Sequence, residues 1–182
     1  MKVEFVPATA ADLAEVAAAG AEFRRHWESF QNMQPTPAFV GGVADIDALG
    51  YLEYEGLGLP GGGLPALALV WGNVLAVQAG LRWVRAKGEG CGGLWLGGAE
   101  WGPALLWPYA RLAESRARGN PQYSKDSTLM MWVVEELIEQ VSVPTATHAR
   151  LRRFQLALEV GVAVAEQPGT AVDWWTPAVP GE

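Results

Sequence analysis

The chain's single cysteine, Cys91, lies in the stretch GEGCGGLWLGGAEW between Gly88 and Trp101. To act as a nucleophile it would have to be a thiolate at neutral pH, its pKa lowered by an imidazole or a helix N-terminus. Two histidines, His26 and His148, are present to supply the imidazole. His148 sits in TATHARLRRF, a basic setting with no nearby acid to orient its ring. The residues after Cys91, GGLWLGGAEWGP, hold five glycines and a proline and cannot sustain the helix that would activate the thiol. Leu94 and Leu96 bracket Trp95 in a strand-like alternation instead. The stretch therefore reads as a glycine-rich hairpin or loop whose cysteine behaves as a small hydrophobe. A thiol-dependent hydrolase or transferase using Cys91 with His26 or His148 stands as the alternative. The same glycines lack the lysine and the following helix of a phosphate-binding loop. One cysteine and two histidines offer no metal-ligand spacing, and neither a cofactor nor a catalytic carboxylate pair is expected.

Charged and aromatic residues form the other constellations. Trp132, Glu135, Glu136 and Glu139 share one side of a helical pattern, opposite its apolar stripe. Acids near a helix C-terminus oppose the macrodipole, so they are not placed to stabilise the helix itself. They read as an acidic face with an aromatic anchor for a basic partner; the plainer reading is a solvated charged face with Trp132 tucked under a neighbour. Asp45 and Asp47, with Glu53 and Glu55, make a second candidate acidic surface. Arg150, Arg152 and Arg153 open the last helix at the less favourable end for their sign. They are expected to face the acidic end of the preceding helix; an anion site is the alternative. Trp174 and Trp175 follow Asp173 in the tail and either clamp it to the domain or anchor a partner.

These residues must be held by elements the sequence also outlines. Lys2 to Val6 alternates as a short strand ended by Pro7. Thr9 is placed to cap a helix with Asp12 as the capping-box acid, and Leu13, Val16, Gly20, Phe23, Trp27 and Phe30 follow at helical spacing. QNMQPTPAFVGG breaks the chain, ADIDALGYLEYEG reads as a shorter helix, and LGLPGGGLP breaks it again. The next helix opens with Pro65, closes at Gly80 and is apolar nearly all round, as a buried central helix would be. LRWVRAK and ALLWP read as strands and YARLAESRARG as a short helix. Two helices follow, Ser127 to Val141 and one from Thr145 or Thr147 to about Glu166, before an irregular tail over 167–182. The arrangement predicts one α+β domain over 1–182: a small antiparallel sheet packed by a buried central helix, with helical N- and C-terminal regions.

Composition narrows the function. Half of the 182 residues are apolar and 18% are charged, which describes a packed domain rather than a disordered chain. The formal charge of −7 counts against nucleic acid, whose binding requires a basic surface, and favours a cationic partner. Nine tryptophans exceed what a core of this size needs and leave some for an interface. The most apolar run is interrupted by Asn73 and Gln78 and falls short of the ~20 residues of a membrane span. The N-terminus lacks the apolar segment of a signal peptide, and a single cysteine forms no internal disulfide, so the expected location is the cytoplasm.

ALALVWGNVLAVQAGLRWVRAKGEG followed by ALLWPYARLAESRARG resembles a pattern in a poorly characterised group of bacterial domains. The matching positions are Gly72, Gly80, Leu81, Trp83, Trp107, Pro108 and Arg111, within about residues 65–120. The resemblance implies a toxin-immunity-like protein that neutralises a toxin by binding it, and it implies no catalytic residues. The glycine-rich stretch around Cys91 and the helical C-terminal region depart from the pattern. The reading is thus a non-enzymatic immunity protein whose partner is a toxin with a basic surface, with no membrane or nucleic-acid partner and homodimerisation left open. A structural or chaperone-like component of a protein assembly is the third reading.

Overall fold

The computed structural model describes residues 3–30, 43–54, 63–88, 93–97, 106–118, 126–140 and 145–160. In chain order these form β1 (Glu4–Pro7), α1 (Ala10–Glu28), α2 (Val43–Tyr54), α3 (Gly63–Ala79), β2 (Arg82–Lys87), β3 (Leu94–Gly97), α4 (Pro108–Ala117), α5 (Asp126–Glu139) and α6 (Thr145–Val160). The three strands make an antiparallel sheet in the order β1-β2-β3, with Val6 opposite Arg85 and Trp83 opposite Leu96. The architecture is α+β, mostly helical, as the element pattern predicts.

Helix α3 lies at the centre. Its mixture of alanine, leucine and valine with one tryptophan buries residues on every side, and it touches α1, α2, α4, α6 and β3. Its polar residue Asn73 is 4% exposed and accepts a hydrogen bond from the Trp83 indole at 3.4 Å, which satisfies an amide that would otherwise be costly to bury. Gly80 ends the helix at φ +71°, and the Leu81 amide donates back to the Ala76 carbonyl at 2.9 Å. That is the six-to-one bond of a Schellman cap, sealed by the buried Leu81 side chain.

Gly72 sets how closely α3 approaches its neighbours. A β-carbon there would stand 2.7 Å from Trp83 Cη2 and 2.8 Å from Pro108 Cγ. The bare backbone therefore lets β2 and the start of α4 meet α3 at one point. Pro108 suits the first helical position because its missing N–H would have had no intrahelical partner.

Helix α1 carries the expected capping box: the Asp12 amide donates to Thr9 Oγ1 at 3.2 Å, and the Thr9 amide to Asp12 Oδ2 at 2.8 Å. α5 presents Met130, Val133, Val134 and Leu137 to the core, and α6 packs on it with Leu151, Phe154 and Ala157. LWL within the glycine-rich stretch, strand-like by its alternation, forms the strand β3. Of ALLWP, Leu106 forms a bridge with Leu96 and α4 begins at Pro108, while Ala104 and Leu105 lie outside the described residues.

Gly72→Ala is expected to lower the unfolding free energy by about 2 kcal/mol by overpacking this contact, although alanine is favoured in a helix by about 1 kcal/mol. Urea denaturation measures it, and a neutral or stabilising result would contradict the close approach.

Candidate functional site

The acidic side of α5 stands in the open. Glu135, Glu136 and Glu139 are exposed, and Trp132 beside them is 41% exposed. They lie there because the apolar stripe of the same helix is turned toward α2 and α6. α4 reaches it through a side chain: Arg111 Nη2 donates to both oxygens of Glu136, at 2.5 and 2.7 Å. Glu114 and Arg118 pair one turn apart on α4. Between the helices is a recess of about 100 Å³ whose lining includes Trp132, Arg111, Ser115 and Leu129. Both partners of the Arg111–Glu136 pair are substantially exposed, so it contributes no more than about 1 kcal/mol.

Other expected site residues fall elsewhere. Asp45 is fully buried in the first turn of α2, where the helix dipole favours a carboxylate, and it has polar interactions within the fold; it belongs to no surface. The Asp47 side chain, Cys91, Trp174 and Trp175 lie outside the described residues. Arg150, Arg152 and Arg153 make no ion pair with the α5 acids among the described residues, since α6 lies on the apolar side of α5 and Glu136 is bound to Arg111. The Arg150 guanidinium instead crosses Gly80 at the C-terminus of α3, where a cation complements the helix dipole. His148 Nε2 donates to the Ile138 carbonyl at 3.2 Å, near the end of α5, and the His26 ring meets Phe30 edge-on at 5.1 Å.

A larger pocket lies on the other side of α4. Its volume is about 360 Å³, in the range that holds small ligands or anchoring side chains. Trp83 and Arg85 from β2, Ala68 and Leu69 from α3, Trp107 and Tyr109 from the start of α4, and Glu15 from α1 line it. Trp107 is fixed by stacking on Trp95, with centroids 5.2 Å apart and planes 13° from parallel. Gly93, at φ +103°, leaves room for the Trp107 indole: a β-carbon there would sit 3.1 Å from Nε1.

Arg85 is held from below by Asp12, whose carboxylate accepts from its Nε at 3.0 and 3.1 Å and also from Nη2. The bond to Arg85, aided by those to Thr9 and opposed by burial, keeps the Asp12 carboxyl well below the usual carboxylate range. The guanidinium pKa is correspondingly raised, first by the Asp12 bond, with smaller contributions from the Asp12 and Glu15 charges. Asp12 thus caps α1 and ties it to the sheet, while Glu15, one turn on, faces the pocket. Asp12 is legible in the sequence as a cap, and Trp83, Trp107 and Pro108 as pattern residues. Glu15 and Arg85 carry no local signal, because only the pairing of α1 with β2 brings them together.

Among the described residues no three histidine, cysteine, aspartate or glutamate side chains converge as metal ligands, and no helix is long and apolar enough to cross a membrane. No family model, no curated protein and no solved structure matches this chain.

Asp12→Asn should cost about 2 kcal/mol at neutral pH by weakening both the cap and the tie to Arg85. Because the folded pKa is depressed, the contribution is complete above the unfolded carboxylate value of about 4 and declines as the pH falls below it. Unfolding curves of wild type and variant should therefore converge on acidification. A gap constant from neutral to strongly acid pH would contradict the assignment.

Proposed function

We propose that this protein is a non-enzymatic binding module that neutralises a basic protein partner through the face formed by α4 and α5. The observation that carries the reading is Trp132: a large aromatic side chain, 41% exposed, among Glu135, Glu136 and Glu139 on a helix whose other side is fully committed to the core. Exposed tryptophans ringed by polar groups supply the central contact of many interfaces, and the surrounding carboxylates steer a positively charged partner toward it. The overall charge of −7 acts in the same direction at longer range.

The class of partner, a toxin held inactive by occlusion, follows from the resemblance of residues 65–120 to immunity-like domains. The contact of Gly72, Trp83 and Pro108 gives those pattern positions a packing role. On this reading the pattern maintains the scaffold, and the exposed side chains of α4 and α5 select the partner.

The tagged full chain should capture a stoichiometric basic protein whose expression alone arrests growth and whose co-expression with this chain does not. Trp132→Ala should weaken that complex at least about thirtyfold, and Glu135→Lys with Glu139→Lys should slow its association, with stability changed by no more than about 0.5 kcal/mol. A partner bound equally well by these variants would remove the face from the account, and an acidic or non-toxic partner would remove the immunity role.

A further inference from the structure

We infer that the pocket between α1, the sheet and the start of α4 receives an arginine side chain of the same protein partner; the inference rests on the reading above and adds a second anchoring point to it. The walls are aromatic and apolar, with Trp107 and Tyr109 on the α4 side and Leu69 at the α3 side. Tyr109 is 39% exposed and its ring lies 5.8 Å from that of Trp107, so the two form an accessible aromatic rim. Such rims attract cations through their ring quadrupoles.

The charges favour the same sign. Arg85 is already bound by Asp12 through both Nε and Nη2. Lys87, two residues along β2, faces Glu4 across the β1–β2 register. Glu15 is the acid of the lining, and counted with Arg85 and the Asp12 that binds it the three charges sum to −1. A guanidinium suits it better than an ammonium because it is planar, weakly hydrated and able to stack on an indole while meeting a carboxylate edge-on.

The pocket also adjoins the proposed interface. Tyr109 and Arg111 are two residues apart on α4, about 200° around the helix, so one borders the pocket and the other the α5 face. The ridge between them carries Ala110, Ala113 and Ala117 and is low enough for one partner to lie across it. Trp132 and Tyr109 are the large exposed aromatics on its two sides.

The test uses the isotope-labelled full chain and three probes: 1-butylguanidinium, 1-butylammonium and the neutral isostere 1-butylurea. Butylguanidinium is expected to shift the indole N–H resonances of Trp83 and Trp107 saturably, butylammonium more weakly, and butylurea not at all. Glu15→Gln and Tyr109→Leu, both at exposed positions, should each weaken butylguanidinium binding about threefold while the rest of the spectrum is retained. Equal shifts with butylurea, or no shift with any probe, would overturn the cation site, and tighter binding of butylammonium would overturn the assignment to arginine. These readouts need no partner and therefore stand apart from the capture experiment. If both variants bind butylguanidinium weakly yet hold the captured partner with unchanged affinity, the pocket is not part of that interface and the inference fails.

Discussion

The approach of three elements at Gly72 is the constraint on which the rest of the structure depends. Without a side chain at that position, α3 comes within van der Waals contact of the Trp83 ring and of Pro108. That contact sets the distance of the sheet from the central helix and the direction in which α4 leaves the core. Asn73 and Trp83 then meet through a buried hydrogen bond that an α3 held farther away could not make. Asp12 adds the second fixed point, tying α1 to β2 through Arg85. Buried groups of this kind stabilise modestly when satisfied but penalise alternative arrangements, because each would be left without its partner.

This frame leaves α4 between two surfaces. One side of the short helix borders an aromatic pocket with a carboxylate at its edge, and the other borders the acidic side of α5. Tyr109, Trp132, Glu135 and Glu139 are exposed side chains of these surfaces. Gly72, Trp83 and Pro108, by contrast, are constrained by packing.

How much of this was legible in the sequence depended on the range of the interactions involved. The capping box at Thr9, the cap at Gly80 and the all-round burial of α3 rest on neighbours within a turn or two, and each is found where its local pattern places it. The exposure of Glu135 and Glu136 followed from the period of α5 alone. Long-range pairings were not legible. Asp45 reads as a surface acid beside Asp47, yet tertiary packing buries it. The arginines of α6 read as matched to the acids of α5 by order in the chain, but the helix rotation that buries Leu151 and Phe154 turns them elsewhere, and Arg111 reaches Glu136 from α4. The pocket required α1, β2 and α4 to be assembled before Glu15 and Tyr109 had any common meaning.

The most direct test of the central claim is amide hydrogen exchange of the full chain, free and with its captured partner. Occlusion across α4 predicts new protection concentrated in Pro108–Ala117 and Asp126–Glu139, with the amides of α2 and α6 unchanged. Protection confined to α2 or α6, with α4 and α5 exchanging as they do in the free protein, would contradict it.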